Sequence, residues 1–234
     1  MNARDPLEEL LTRKRALEAS SCRAPDFVAT LRELQRWQTA RLARTYQDFH
    51  EDPRYSPAVE FFLSDLYGPQ EFTHRDRDLA RAWRYLNRAL PASAMKILGQ
   101  AIELDVLTLE LDHAMVRALG AALVTEARYA AAYRAVDEQA SRTRQIDLII
   151  SVGEDLDRIV RRAWLGPLLK AAHVPAHAAG FGALQDFLER GYGAFRRMRG
   201  AEPLLKVIRE RETRFMRSML GNQEPATGGS RERA

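Results

Sequence analysis

Cysteine occurs once in this chain of 234 residues, at Cys22. One thiol excludes an intrachain disulfide framework and a zinc–thiolate cluster. Its neighbours, Ser20, Ser21 and Arg23, offer nothing that would tune a nucleophile. Glycine and proline are scarce, at 13 and 10 residues, which favours long elements over many short strands. No segment of four or more residues alternates as a half-buried strand would, so no sheet is expected. Lysine is nearly absent: of 36 basic residues only Lys14, Lys96, Lys170 and Lys206 are lysines, and the other 32 are arginines. A GC-rich bacterial genome is the expected source of that bias ahead of selection for guanidinium chemistry, so the arginine count alone is no nucleic-acid signal.

A long apolar run is missing too. The least charged window, 163–184, contains Lys170, two histidines, two prolines and three glycines, a poor composition for a membrane helix. The opening residues, MNARDPLEELLTRKR, place acids where a secretory leader needs an apolar stretch. A cytoplasmic protein with no membrane contact is expected. Phosphate-loop, Gly-x-Ser-x-Gly and His-Glu-x-x-His motifs are absent, and no cofactor signature replaces them.

What is there reads as a globular helical protein. The chain is 46% hydrophobic and 29% charged, and its length suits one sizeable core. Asp5-Pro6-Leu7-Glu8 has the N-cap, first-turn proline and capping-box acid of a helix start, followed by Leu10, Leu11 and Leu17 on one face. Pro25 opens a second helix carrying Phe27, Leu31, Leu34, Leu42, Tyr46 and Phe49, closed at Pro53. A third is expected from Pro57 to Tyr67, and a fourth from Thr73 to Leu90. The segment 93–119 is apolar around most of its circumference, with Ile102, Leu107, Leu109 and Val116 among its inward positions, and is expected to be central. Helices are also expected over 125–140, from there to about 163, over 181–198, and from Glu202 to Leu220. Gly166-Pro167 and Pro175 are read as interruptions. The expected architecture is all-α: an irregular bundle of about eight or nine helices in a single domain over 1–220, with a disordered polar tail over 221–234.

Phe61-Phe62-Leu63-Ser64-Asp65-Leu66-Tyr67-Gly68, followed by Phe72, Arg75-Asp76 and Asp78, resembles the signature of an uncharacterised all-helical bacterial family with an FFLxDLYG motif. Leu184-Gln185-Asp186-Phe187-Leu188 and Ile208-Arg209-Glu210-Arg211-Glu212 extend the resemblance over most of the chain. The resemblance implies an all-helical fold and a cytoplasmic setting, and assigns no activity.

Candidate sites follow from residue types that do not suit their positions. Asp65 follows three large apolar residues near a helix C-terminus, where the dipole disfavours a carboxylate. It therefore needs a cationic or N–H partner, or serves a ligand together with Tyr67, Phe62 and Phe72. Glu110 and His113 form Glu-x-x-His, a metal-ligand spacing on one helix face, but no second copy completes a di-iron set. His173 and His177 have the four-residue spacing of helical ligands. Pro175 lies between them, so a buried loop with satisfied imidazoles is the expectation.

Net charge is +4 overall, with +1 over 1–90, −3 over 91–140 and +6 over 141–234. Arg211, Arg214 and Arg217 recur at helical spacing, yet Glu210 and Glu212 lie among them, so a solvated, acid-paired surface is expected over a nucleic-acid reader. The leading expectation is a non-enzymatic binding or regulatory protein acting through a protein partner or a small apolar ligand, with homo-oligomerisation left open. The rival classes are a helical metal- or haem-binding enzyme and a weak arginine-dependent nucleic-acid binder.

Overall fold

The computed structural model describes residues 6–21, 25–66, 91–120 and 123–221. The helix expected from Thr73 to Leu90, the polar tail after Gly221, Cys22, Tyr67 and Phe72 lie outside them. Every regular element among the described residues is helical. In chain order these are α1 (Pro6–Ser21), α2 (Pro25–Thr45), α3 (Gln47–Glu51), α4 (Ser56–Phe61), α5 (Ala92–Leu119), α6 (Glu126–Val136), α7 (Gln139–Val160), α8 (Leu165–Ala178), α9 (Gly182–Met198) and α10 (Glu202–Leu220). The last turn of α4 continues as a π-turn, Phe62–Leu66. None of these helices is long and apolar enough to cross a membrane.

Local chemistry explains most boundaries. Thr125 caps α6 by accepting from the Arg128 N–H, and Asp137 ends that helix in the left-handed conformation, φ 45°. Gly221 ends α10 at φ 82°, its N–H returning to Arg217 and Ser218 carbonyls. Two features depart from the sequence expectation. The second helix breaks at Tyr46 and resumes as α3, because Tyr46 turns inward and its hydroxyl donates to Glu212 at 2.8 Å. The expected interruptions at Gly166-Pro167 and Pro175 do not occur, and α8 runs through both. Pro167 stands in the first turn, where a backbone N–H would have no intrahelical partner, so the N–H that proline lacks is not missed. Pro175 stands in the last turn, and its carbonyl still accepts from the Ala179 N–H at 3.0 Å.

The long helix α5 is flanked by α1, α2, α6 and α7. Its inner line is Ile102, Val106, Leu111, Asp112, His113, Met115 and Val116, whereas Leu107 is only half-buried. Helix α7 shares the central role. With α5 and α6 it bounds a cluster built on Leu34, Met115, Tyr129, Tyr133 and Ile146. On its other side it meets α4, α9 and α10 in a cluster built on Val59, Phe61, Ile150, Phe195 and Leu204. Gly153 permits the closest approach in that second cluster, since a Cβ there would lie 2.5 Å from Leu205 Cδ2. Between the two clusters, where α2, α5, α6, α7 and α10 converge, the packing is neither fully closed nor fully apolar.

Candidate functional site: an internal cavity with buried charges

A cavity of about 110 Å³ lies at that convergence. One part of its wall is apolar: Leu42, Val59, Phe62, Leu63, Ile146, Ile149, Leu204 and Ile208. The other is polar and charged, built from Arg41 on α2, Asp112 on α5, Tyr129 and Tyr133 on α6, Arg142 on α7 and Glu212 on α10. Buried charges need compensation, and these residues find it unequally.

Arg41 and Glu212 form a matched pair. Nη1 of Arg41 donates to Oε1 and Oε2 of Glu212 at 2.7 and 2.8 Å, and Tyr46 Oη adds a third donor at 2.8 Å. Burial works against the guanidinium charge, but Glu212 outweighs it and holds the Arg41 pKa above its ordinary value. The Arg41 guanidinium also stacks on the Phe215 ring at 4.2 Å.

Asp112 is in a different position. It accepts from Gln38 Nε2 at 3.0 Å and from Gln35 Nε2 at 3.4 Å. Burial pushes its carboxyl pKa up, outweighing Gln38, the Arg142 charge and Gln35, which act downwards. Burial likewise raises Tyr129, and raises Tyr133 to about 12, so both hydroxyls stay protonated as donors.

Arg142 is the least compensated group. It is 7% exposed, and its guanidinium lies 4.4 Å over the Tyr133 ring. Its Nη2 is buried and has no hydrogen-bond partner among the described residues, and the same holds for Nε of Arg41. A guanidinium cannot shed its proton to escape burial. The neighbouring carboxylate, Asp112, is itself driven toward its neutral form. The wall thus presents guanidinium donors without acceptors beside an apolar surface, which suits a small guest with one acceptor or anionic group.

The residues singled out by sequence distribute around this cavity unevenly. Phe62 is half-buried, lines the cavity with Leu63, and meets Phe61 and Phe195 edge-on at 6.3 and 6.0 Å. The backbone of Asp65 belongs to the π-turn, but its side chain, like Tyr67 and Phe72, lies outside the described residues. Glu110 and His113 face different surroundings. Glu110 pairs with Arg13 on α1, while His113, 2% exposed, packs edge-on against Phe27 of α2 at 5.0 Å. Burial, then the Arg117 charge, lowers the His113 pKa.

Sequence reasoning missed Arg41 and Arg142 altogether, assigned no role to Asp112, and read Glu212 as an acid on a solvated arginine-rich face, whereas it is turned inward onto Arg41 and Tyr46. A local signal existed. Arg142 stands one turn before Ile146 on the stripe that continues through Ile150, and Asp112 stands between Leu111 and Met115. A charge inside an apolar stripe is the mark of a buried polar site.

A second concavity, about 900 Å³ and open, lies beside α7 and α9 and is lined by Arg54, Arg161, Arg196, Arg197 and Arg199 with Asp157. Several of these cations are engaged. Arg161 donates to Asp157 at 2.5 Å, Arg54 to the Met198 carbonyl at 2.5 Å, and Arg196 to the Val160 carbonyl at 3.4 Å.

Comparison with curated proteins and with solved structures finds no match to this chain. A family model does match, over residues 18–226, which include every residue of the cavity wall, and the chain therefore belongs to the family described as a domain of unknown function, DUF8198.

Proposed function

We propose that the protein is a non-enzymatic helical binding protein that takes a small ligand, an apolar body with one anionic or acceptor group, into the internal cavity. The observation that supports it is the buried Arg142 guanidinium, whose Nη2 has no hydrogen-bond partner among the described residues. A buried cation without a matching acceptor is costly, and a bound anion offsets that cost. The apolar side of the wall would hold the rest of the ligand. Size limits the choice: a cavity of roughly 150 Å³ holds benzene, so a guest of about that size or smaller fits here. A cytoplasmic setting agrees with the lone cysteine.

Butyrate, which matches benzene in heavy-atom count, is the probe, with 1-butanol as the uncharged comparison. Thermal unfolding should show stabilisation by butyrate of about 2.7 kcal/mol at a hundredfold excess over Kd. For a chain of this length that is a rise in Tm of about 5–10 °C. Butanol should give much less. Arg142→Met should remain folded, because an apolar side chain of similar length often replaces a buried charge without loss, and should lose the butyrate effect. An equal shift in Arg142→Met, or none in the native protein, refutes the reading.

A further inference from the structure

Outside the cavity, the α8–α9 hairpin brings together four side chains that no feature of the cavity uses. The helices run antiparallel through the short turn 179–181, where Gly180 has φ 76°. His173 and His177, one turn apart on α8, face α9 with ring centroids 4.6 Å apart. Asp186 and Glu189, three apart on α9, face back. Nε2 of His177 lies 2.9 Å from Asp186 Oδ1, and Nδ1 of His173 lies 3.0 Å from Glu189 Oε1. The structure replaces the expected buried loop with two half-exposed imidazoles sharing one helix face.

We infer that His173, His177 and Asp186 form a binding site for one divalent transition-metal ion of the zinc class, with Glu189 orienting the His173 ring. One ligand atom from each of the three residues lies within 4.8 Å of the others. Two imidazole nitrogens and one carboxylate oxygen, with a fourth position left to solvent, is a donor set that zinc accepts. Tetrahedral bonds of about 2.0–2.1 Å place ligand atoms roughly 3.3 Å apart. The three side chains are 47%, 42% and 42% exposed, so rotation about their own bonds can close the cluster.

The surroundings are also built to hold the set. With Nδ1–H of His173 donated to Glu189, the Nε2 lone pair is left for the ion, the arrangement by which carboxylates orient metal-bound histidines. Glu189 is held in turn by Gln185, which is 5% exposed and donates to both Glu189 Oε1 and the Leu169 carbonyl at 2.8 Å. Gly182 gives His177 its room, since a Cβ there would lie 2.6 Å from the ring Nδ1.

Full-length protein stripped with a chelator and titrated with ZnCl2 in a calorimeter should bind one ion per chain. Cobalt(II) should give the visible absorption of a tetrahedral site. His173→Ala, His177→Ala and Asp186→Asn should each abolish saturable binding, while His50→Ala keeps it. Glu189→Gln should weaken binding about 10–100-fold without abolishing it, as outer carboxylate partners do. These side chains are on the surface, and circular dichroism checks that each variant stays helical. Absence of zinc binding by the native chain at micromolar concentration, or its retention in the His173→Ala/His177→Ala double variant, overturns the proposal.

Discussion

Asp112 is 3% exposed, and burial raises its carboxyl pKa despite Gln38, Arg142 and Gln35 acting in the other direction. A carboxyl whose folded pKa exceeds its unfolded value of 3.8 contributes fully to stability below that value. That contribution is lost as pH rises through the folded pKa. Asp112→Asn keeps an oxygen for Gln38 and cannot ionise. Its stability relative to the native chain should therefore grow between about pH 4 and pH 8, and a difference that stays constant in urea unfolding at the two pH values rejects this account. Glu212 poses the converse case. Glu212→Gln leaves Arg41 buried without its counter-charge and should cost about 3–5 kcal/mol. Replacing both Arg41 and Glu212 by methionine should cost far less than Glu212→Gln alone, a comparison that urea midpoints would decide.

Helix periodicity made most elements readable, and the exceptions have physical causes. The long α5 and the starts of α1, α2 and α10 follow from apolar spacing and first-turn prolines. The break at Tyr46 has no glycine or proline to announce it, because its cause is a hydroxyl bond to Glu212, 166 positions away. Helix α8 was obscured by Pro175, whose local cost is overridden by packing against α9. The same override hid the histidine pair, since the acids that meet it belong to another helix. Of the candidate cavity residues only Phe62 was legible, because the charged wall is assembled from five helices and forms no motif along the chain. Interhelical contact also sets the sign of a substitution at Gly153. Alanine there gains about 1 kcal/mol of helix propensity, but its Cβ would lie 2.5 Å from Leu205 Cδ2. Crowding of this kind costs about 1–3 kcal/mol, so Gly153→Ala should be neutral to destabilising. In a Leu205→Ala background the crowding disappears and the same change should stabilise, a reversal that denaturant unfolding would register.

Across the whole molecule the net charge of +4 hides an uneven field, with the basic excess in the C-terminal part. The acids do not leave that excess fully available. Arg209 pairs with Asp147 at 2.7 Å, Arg211 with both oxygens of Asp48 at 2.8 and 2.7 Å, and the α7–α9 groove already spends Arg161 on Asp157. The Arg211 contact lowers the Asp48 pKa, first through its hydrogen bond, so this tie persists across the neutral range. A duplex docking here would displace such pairs and gain only the remaining phosphate contacts. If about three phosphates are neutralised, the slope of log K against log salt is roughly −2.7, and affinity falls about 40-fold between 50 and 200 mM salt. Binding to a random-sequence duplex should therefore be weak and largely lost by about 0.2 M salt. Anisotropy titrations over that range would show it, and tight sequence-selective binding at 0.2 M would instead make the groove arginines a nucleic-acid interface. Arg197→Glu/Arg199→Glu should abolish the residual binding while leaving the butyrate response unchanged, because neither residue lines the internal cavity.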